Sequence, residues 1–297
     1  MVDPRQSGPI VVLGSVNMDL ITTTGRLPEA GETLLGQGFS TVPGGKGSNQ
    51  AIAAARAGGT VQFIGAVGQD DFGDQLRKAL ISSGVSVELL RSVHGPSGVA
   101  AITVDDAAEN TIVVVPGANG AITDLRSADL RAIRNASLLV CQLEIPLSLV
   151  VSAVEAASAA GVSVLLNASP ARELPAALLA GVTVLVVNEG EAAAIGSGSV
   201  AQVRHVVTTL GAAGARYRGP DGWYQVAAPK VDAVDTTGAG DAFAGALAVA
   251  WTSGADPRTA LQWACAAGAL ATTNPGASSS SPVAADITAL AAATYST

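Results

Sequence analysis

Short runs of branched apolar residues recur along the chain, and stretches with a helical pattern separate them. The runs are apolar at successive positions rather than at every second one, which is typical of strands covered on both faces. The alternation predicts an α/β fold, a mostly parallel, doubly wound sheet with helices on both faces in Rossmann-like layers. The predicted strands are Ile10–Leu13, 61–67, 137–143, 162–167, 182–187 and 205–209.

Two stretches interrupt this alternation. Residues 20–42 contain short β-type runs divided by glycines and a proline, without helical periodicity. Residues 98–104 and 111–115 form a second pair of β-type runs, joined by a polar loop, as in a hairpin. Together they predict a small β-sheet lid over the main fold, built from segments of about 18–43 and 97–116.

Two predicted helices begin directly after glycine-rich turns. One is Ala-rich and runs from Lys46 to Arg56, and the other is apolar on every side over 242–251 and opens near Gly238. The first turn of a helix has unpaired N–H groups and a partial positive charge, and glycine lets an anion approach the backbone. We therefore predict an anion hole at the second helix start.

Asp241 lies in the first turn of that second helix. A carboxylate at this position could simply complement the positive end of the helix dipole. Beside an anion hole it is also placed to remove the proton from an attacking hydroxyl group. We therefore take Asp241 as the candidate general base.

Polar residues follow other predicted elements in a pattern suited to a polyol. Asn17 and Asp19 come after the first strand, and their spacing places both side chains on the same side of extended backbone, although an Asx turn would use the same residue types. Lys46 and Asn49 add a cation and an amide at a helix start. Glu144 follows the third predicted strand and would be a solvated loop acid if it had no partner.

Two later strands end in residues suited to a nucleotide. Asn188 and Glu191 fit either a capping pair or an outer shell for waters on Mg²⁺. The serine-rich stretch 278–281 is either a flexible linker or a loop whose carbonyls curl around a cation. A glycine-flanked loop suited to nucleotide phosphates or ribose contains Thr209, Leu210, Gly211, Ala212, Ala213 and Gly214.

The composition argues against several kinds of partner. The chain has 297 residues, a net charge of −8 and only three lysines, so it offers no basic stripe to a nucleic acid. No apolar run approaches the roughly 18 residues that span a bilayer, and no signal-peptide pattern is present. Cys141 and Cys265 lie in apolar contexts typical of buried free thiols. We expect no membrane association, a cytoplasmic location and, since no linker divides the chain, one domain over residues 1–297.

Six short stretches, taken together and in this order, resemble the ribokinase (PfkB-type) sugar kinases. The resemblance covers essentially the whole chain, and the joint occurrence of two distant glycine-rich motifs is specific where each alone is not. The stretches are GSVNMD at 14–19, GGKGSN at 44–49, QLE at 142–144, Asn188-x-x-Glu191, TLG at 209–211 and DTTGAGD at 235–241.

The resemblance implies a ribokinase-like α/β fold and an ATP-dependent transfer of the γ-phosphate to the 5-hydroxyl of D-ribose. Asp241 would take the hydroxyl proton, and backbone N–H groups of the anion hole would stabilise the transferring phosphoryl group. The anion-hole residues would be Thr237, Gly238, Ala239 and Gly240. Besides Asp241, the residues that would hold the pentose are Asn17, Asp19, Gly45, Lys46, Asn49 and Glu144.

The resemblance also implies a nucleotide site and two cations. ATP would contact Asn188, the loop 209–214, Gly240 and Cys265. Asn188 and Glu191 would organise Mg²⁺ or another divalent cation with its waters. K⁺ would lie beside the anion hole, at Asp235, Thr237, Ala271, Asn274, Gly276 and Ser280. We also expect a homodimer joined through the lid, because small exposed sheets have edges and apolar faces to cover.

Two features depart from the family pattern, and other functions stay open. Residues 192–208 form a shorter connection than the family uses, which normally includes an extra helix, and Cys265 replaces a polar or aromatic side chain near adenine. Another kinase of this family, for deoxyribose, fructose or adenosine, is one alternative, and a catalytically silent sugar-binding regulator is a second. An NAD-dependent dehydrogenase is disfavoured, because no Gly-x-Gly-x-x-Gly helix start follows the first strand.

Overall fold

A computed structural model describes residues 2–107, 109–220 and 222–295. Met1, Asp221, Ser296 and Thr297 of the predicted domain, and Ala108 of the predicted lid segment, lie outside the described residues. The strands are β1 (Ile10–Leu13), β2 (Asn17–Thr24), β3 (Gly38–Gly44), β4 (Val61–Gly68), β5 (Leu90–Val93), β6 (Gly98–Asp105), β7 (Asn110–Val115), β8 (Leu138–Cys141), β9 (Ser163–Asn167), β10 (Val184–Asn188), β11 (His205–Thr209), β12 (Ala215–Gly219) and β13 (Gly222–Val226).

The helices pack around these strands. Within the described residues, none is long and apolar enough to cross a membrane. They are α1 (Lys46–Arg56), α2 (Asp71–Ser82), α3 (Ala118–Ala121), α4 (Ser127–Asn135), α5 (Leu147–Ala159), α6 (Ala176–Ala180), α7 (Glu189–Ile195), α8 (Ser197–Ala201), α9 (Ala239–Thr252), α10 (Pro257–Ala271) and α11 (Ala284–Tyr295).

The main sheet has the strand order β13-β12-β11-β10-β9-β8-β1-β4-β5. The strands from β11 to β5 pair in parallel, and β12 and β13 extend one side in antiparallel pairing. All the strands predicted from the apolar runs lie in the parallel part, whereas β5 and β12 were not predicted. Successive residues of β1 point into different cores: Ile10 and Val12 face α1, α9 and α10, and Val11 and Leu13 face α4 and α5. The doubly wound α/β prediction is therefore confirmed.

Two central helices, α1 and α9, cross closely and begin near each other. A Cβ built on Gly245 of α9 would lie 2.6 Å from the Cβ of Ala53 in α1, so glycine permits this contact. Helix α1 begins after Gly45 and helix α9 after Gly238, as the glycine-rich turns predict. The crossing brings two helix N-termini, and the residues they carry, to the same end of the sheet.

The two predicted excursions form one separate sheet with the order β3-β2-β6-β7, which confirms the small β-sheet lid. Strands β2 and β6 pair in parallel, and β3 and β7 flank them in antiparallel pairing. Apolar side chains remain uncovered on this sheet, since Phe39 is 69% exposed and Val113 is 64% exposed. The lid begins at Asn17, only a few residues after β1 ends.

The connection that is short for the family still contains helical structure. Helix α7 fills the start of the interval 192–208 and helix α8 lies within it. Strands β10 and β11, which this connection joins, pair in parallel along their whole length. The short interval therefore retains the crossover that a parallel pair requires.

Candidate active site

The start of α1 is held against the end of β1 by close backbone contact. Gly45, the residue before the helix, has φ 92°, and a Cβ there would lie 2.8 Å from the backbone nitrogen of Asn17. The Ser15 hydroxyl donates to a Glu144 carboxylate oxygen at 2.5 Å, and the Lys46 N–H donates to the same oxygen at 3.0 Å. Glu144 therefore anchors this helix start and is not a solvated loop acid.

Asp241 is bound by side chains of α1 and is only 9% exposed. Its Oδ1 accepts from Gln50 Nε2 at 2.9 Å, and its Oδ2 accepts from Asn49 Nδ2 at 3.1 Å. Gln142 Nε2 in turn donates to Gln50 Oε1 at 2.7 Å. The carboxylate thus has specific polar partners from another helix, beyond the dipole of its own helix.

Two acids of this site, Asp241 and Asp19, have a raised pKa. Burial raises the pKa of Asp241, the Lys46 charge and the hydrogen bonds from Gln50 and Asn49 lower it, and the Glu144 charge raises it. For Asp19 on β2, burial and then the charges of Glu144 and Asp241 raise the pKa to about 7. A ligand that donates hydrogen bonds to carboxylates would relieve this crowding of negative charge.

Two buried acceptor atoms in the same region have no partner among the described residues. They are Asn49 Oδ1 and Gln142 Oε1. Asn49 is 6% exposed, and its Nδ2 already binds Asp241. Because a buried acceptor without a hydrogen bond is unfavourable, Asn49 Oδ1 is suited to receive a ligand hydroxyl.

Sequence reasoning missed several residues of this network. Gln50 and Ser15 were not assigned a role, although a glutamine inside an Ala-rich helix was a usable signal. Asn119, which contacts Asn17, lies in the short helix α3 far along the chain, and no local pattern marks it. The predicted residues Asn17, Asp19, Gly45, Lys46, Asn49, Glu144 and Asp241 all lie at the starts of β2, α1 and α9 or after β8.

The start of α9 has the geometry of an anion-binding turn. Gly238 has φ 76°, and within the described residues the N–H groups of Gly238 and Gly240 have no acceptor. Thr237 and Ala239 differ, because the Thr237 N–H donates to Asp235 Oδ1 at 2.9 Å and the Ala239 N–H donates to the Thr236 carbonyl at 3.3 Å. Free N–H groups at the positive end of a helix dipole can bind the oxygens of a phosphoryl group.

Asp235 and Arg56 hold residues 276–281, called here the serine-rich segment, beside this turn. Asp235 Oδ2 accepts a hydrogen bond from the Gly276 N–H at 2.8 Å. Burial raises the pKa of Asp235, but the hydrogen bonds from Gly276 and Thr237 lower the pKa below its ordinary value overall. Arg56 Nη1 donates to the carbonyls of Ser279 and Ser281, each at 2.8 Å, and to a third carbonyl at 3.2 Å. The segment is therefore not a free linker, since its carbonyls curl around a guanidinium group.

A cavity of about 500 Å³ borders the start of α9, where Thr236, Ala239 and Gly240 line it. Among the predicted nucleotide residues, those that line it are Thr209, Gly211, Ala212, Gly214, Gly240 and Cys265. Asn188, Leu210 and Ala213 do not line it. Residues 228–231, with Phe243 and Thr272, also line the cavity and were not predicted. Its walls are mostly backbone and small side chains, which leave little trace in a sequence.

Cys265 contributes a thiol to this cavity, and Cys141 lies elsewhere in the core. Both are free and buried, as the apolar contexts predict. Burial raises the pKa of Cys265 to about 12. The thiol is therefore neutral at physiological pH, and it offers a ligand apolar contact rather than charge.

Asn188 and Glu191 form a capping box at the start of α7. Asn188 Oδ1 accepts from the Glu191 N–H at 2.7 Å, and Glu191 Oε2 accepts from the Asn188 N–H at 2.8 Å. In the described part of the chain, no three His, Cys, Asp or Glu side chains are grouped as metal ligands. The capping interpretation is thus realised, and within the described residues Asn188 Nδ2 and Glu191 Oε1 have no partner and remain for water.

Known proteins share both the sequence and the fold. The sequence pattern of the pfkB family carbohydrate kinases matches residues 8–284. A ribokinase from Schizosaccharomyces pombe is 39% identical over 92% of this chain and 94% of that protein, and one from Bacillus subtilis is 37% identical over 92% and 96%. The structure of Arabidopsis thaliana ribokinase complexed with ribose and ATP is similar with a TM-score of 0.90 and 32% identity, over 96% of this chain and 99% of that chain.

Proposed function

The chain belongs to the pfkB family of carbohydrate kinases, and on that premise we propose that it transfers the γ-phosphate of ATP to the 5-hydroxyl of D-ribose. One observation carries the proposal most directly. A single turn of α9 connects two sites, since Gly240 lines the large cavity while the next residue, Asp241, is hydrogen-bonded to Asn49 and Gln50. A group bound in the cavity and a hydroxyl bound at α1 would meet at this turn.

The side chains around α1 suit a polyhydroxylated substrate. Asp19 and Glu144 accept hydrogen bonds, Lys46 and Asn17 donate them, and Asn49 Oδ1 is a buried acceptor without a partner among the described residues. Each hydroxyl of a sugar can donate one hydrogen bond and accept others, so this mixture can satisfy adjacent hydroxyls at once. The crowded carboxylates also gain from the donated hydrogen bonds.

In the proposed reaction Asp241 accepts the proton of the 5-hydroxyl. As the bond from O5 to the γ-phosphorus forms, the bond from that phosphorus to the β,γ-bridging oxygen breaks, and ADP leaves. The raised pKa of the buried Asp241 makes its carboxylate a stronger base than a solvated one. The free N–H groups of Gly238 and Gly240 stabilise the charge on the transferring group.

A divalent cation such as Mg²⁺ would neutralise charge on the nucleotide phosphates. Asn188 and Glu191 would hold its waters rather than the ion itself, because capping hydrogen bonds already occupy Asn188 Oδ1 and Glu191 Oε2. Glu191 Oε1 has no hydrogen-bond partner among the described residues and suits this outer position. The donor set therefore fits a hydrated ion.

K⁺ would stabilise the segment beside the anion hole. Asp235 ties this segment to Thr237, and the backbone carbonyls of Asn274, Gly276 and Ser280 accept no hydrogen bond within the described residues. Such carbonyls can supply ligands to a monovalent cation, with Ala271 and the Thr237 hydroxyl as further positions. The cation would add positive charge next to the transferring phosphoryl group.

We further place the enzyme in the cytoplasm as a homodimer joined through its lid. The exposed apolar residues Phe39, Ile112 and Val113 give the lid a surface that a second copy would cover. Free cysteines suit a reducing compartment that also supplies ATP. Sedimentation velocity of the wild type and V113E at micromolar concentration checks the dimer; a wild type that stays monomeric would contradict it.

The function is tested by measuring ADP release with a panel of pentoses, hexoses and nucleosides. D-ribose should give the highest kcat/KM, and phosphorus NMR of the product should show coupling to the two protons on C5. Preference for deoxyribose, fructose or adenosine would replace ribose by another substrate of the same family. Sugar binding without ADP release in the presence of Mg²⁺ and K⁺ would instead favour a catalytically silent regulator.

A further inference from the structure

The short helix α3 carries Asn119, a residue that is 1% exposed and far from Asn17 in the sequence. We propose that Asn119 is a positioning residue, which fixes the atom that Asn17 presents to the sugar. This inference rests on the proposed function, in which Asn17 contacts the substrate. Asn119 acts only through Asn17.

The backbone determines how the Asn119 amide is turned. The Val16 N–H donates to Asn119 Oδ1 at 3.0 Å, and Asn119 Nδ2 donates to the Val16 carbonyl at 3.1 Å. A backbone N–H can only donate and a carbonyl can only accept, so turning the amide over would lose both bonds. The positions of oxygen and nitrogen in this side chain are therefore not interchangeable.

The orientation of Asn119 determines that of Asn17. The second hydrogen on Asn119 Nδ2 is donated to Asn17 Oδ1 at 2.7 Å. Asn17 Nδ2 therefore points away from this pair, has no partner within the described residues and retains contact with solvent. Asn17 consequently offers the ligand a donor, not an acceptor.

This polarity complements Asp19, two residues further along β2. A sugar hydroxyl next to Asn17 accepts a hydrogen bond through its oxygen, and its own proton is left for a carboxylate such as that of Asp19. If the Asn17 amide turned over, two acceptors would face the same hydroxyls, and one of them would lose its hydrogen bond. Asn119 thus makes the pair Asn17 and Asp19 a fixed donor and acceptor.

Gly98 on β6 lies directly against the hydrogen-bonded side chains of Asn119 and Asn17. It lies opposite Asn17 in the lid sheet, and a Cβ there would come within 2.3 Å of both Asn119 Nδ2 and Asn17 Oδ1. Real Cβ atoms do not approach polar atoms so closely, so any larger residue at 98 must separate the two side chains. Glycine at this position preserves the hydrogen bond.

The experiment is a double-mutant cycle of Asn119→Ala and Asn17→Ala, with KM measured separately for ribose and for ATP. N119A should raise the KM for ribose about 5- to 10-fold, as expected for the loss of one oriented hydrogen bond, and leave the KM for ATP within about twofold. In the N17A background, N119A should change the KM for ribose by less than about twofold, because no side chain remains to be oriented.

Asn119→Asp and Gly98→Ala protect the test against misfolding of N119A. N119D keeps the size of the residue and an acceptor for the Val16 N–H, but its ionised carboxylate cannot donate to Asn17 or to the Val16 carbonyl. G98A disturbs the pair without altering either side chain and without adding a charge. Each should raise the KM for ribose in the wild-type background and not in N17A. Equal effects in both backgrounds, or an unchanged KM for ribose in every variant, would overturn the role of Asn119.

The wild-type assay separates this inference from the proposed function. Turnover of a sugar other than ribose would change the proposed substrate, and the cycle would then be measured with that sugar. Turnover of ribose with additive mutational effects would overturn the role of Asn119 alone. If the wild type turns over no sugar, the proposed function fails, and the positioning role fails with it.

Discussion

The two halves of the proposed active site offer their ligands different kinds of group. Around α1, the sugar side consists of side-chain groups that are hydrogen-bonded to one another, such as Asp241 with Asn49 and Gln50. On the nucleotide side, glycines, alanines and backbone groups line a cavity of about 500 Å³, with few ionisable side chains. Side-chain functional groups therefore form the sugar side, whereas the position of the backbone forms the nucleotide side.

This difference predicts how each half responds to substitution. Replacing a side chain on the sugar side removes a proton acceptor or a hydrogen bond while the backbone stays in place. On the nucleotide side, the damaging change is the addition of atoms where the backbone must approach a phosphate. The following substitutions examine that contrast, and each has a matched control in the same chain.

The largest effect is expected for Asp241→Asn at the junction of the two halves. Loss of the general base should lower kcat about 100- to 10,000-fold while changing the KM for ribose by less than about threefold. Steady-state ADP release measures both constants. The control is D256N, since Asp256 also lies at a helix start but only caps α10. Near-normal turnover in D241N would remove Asp241 from the mechanism.

Gly238→Ala is expected to be next in size. Gly238 has φ 76°, and a Cβ there would lie 2.7 Å from Cα of Ala277, so the added methyl must displace the anion-binding turn or the serine-rich segment. We expect kcat to fall about 10- to 100-fold. Gly254→Ala is the control, because Gly254 also has φ 76° but nothing lies within 4 Å of its Cβ position. Equal losses in both variants would point to backbone strain alone.

A smaller effect should follow from Arg56→Gln, which removes the hydrogen bonds from the guanidinium group to the carbonyls of the serine-rich segment. The concentration of K⁺ that gives half-maximal activity should rise about 3- to 10-fold, since fewer fixed hydrogen bonds would hold the carbonyls. Amide hydrogen exchange over residues 276–281 should also become faster. Arg77→Gln is the control, because Arg77 donates to the Leu90 carbonyl at 3.1 Å, away from the site. An unchanged exchange rate in R56Q would show that Arg56 does not stabilise the serine-rich segment.

The smallest effect concerns stability and belongs to Asp19→Asn on the sugar side. The pKa of Asp19 is raised from 3.8 to about 7, so the folded protein binds a proton more tightly than the unfolded chain, and stability falls as the pH rises from about 4 to 7. D19N should therefore raise the Tm of the ligand-free enzyme by about 2–4 °C at pH 8 and leave it nearly unchanged at pH 4.

Asp70→Asn provides the opposite sign for this comparison. Although burial raises the pKa of Asp70, hydrogen bonds from Ser97 and Gly73 lower it below 3.8 overall, so its charged form stabilises the fold. D70N should therefore lower the Tm at pH 8, and the loss should shrink as the pH falls below about 4. Thermal unfolding curves from about pH 2 to pH 8 measure both variants. A D19N difference that does not vary with pH would contradict the raised pKa.

The sequence alone was sufficient for features that depend on neighbouring residues. Apolar runs located β1, β4 and β8 to β11, and glycines before Lys46 and Ala239 located the starts of α1 and α9. The candidate ligands Asn17, Asp19 and Asp241 were identifiable because they lie beside glycine-rich turns at strand ends and helix starts, although capping and turn roles use the same residue types there. The ligand roles themselves remain predictions.

Contacts between distant parts of the chain were decided only by the tertiary structure. Asp241 and Asn49 are 192 positions apart, Arg56 and Ser279 are 223 apart, and Asn119 and Asn17 are 102 apart. Such pairs form because α1 and α9 cross, the segment after α10 lies against Arg56, and α3 lies beside the start of β2, and no local pattern encodes these arrangements. Short-range patterns therefore specified which residues could do the chemistry, and the packing of the helices and the lid decided which of them meet.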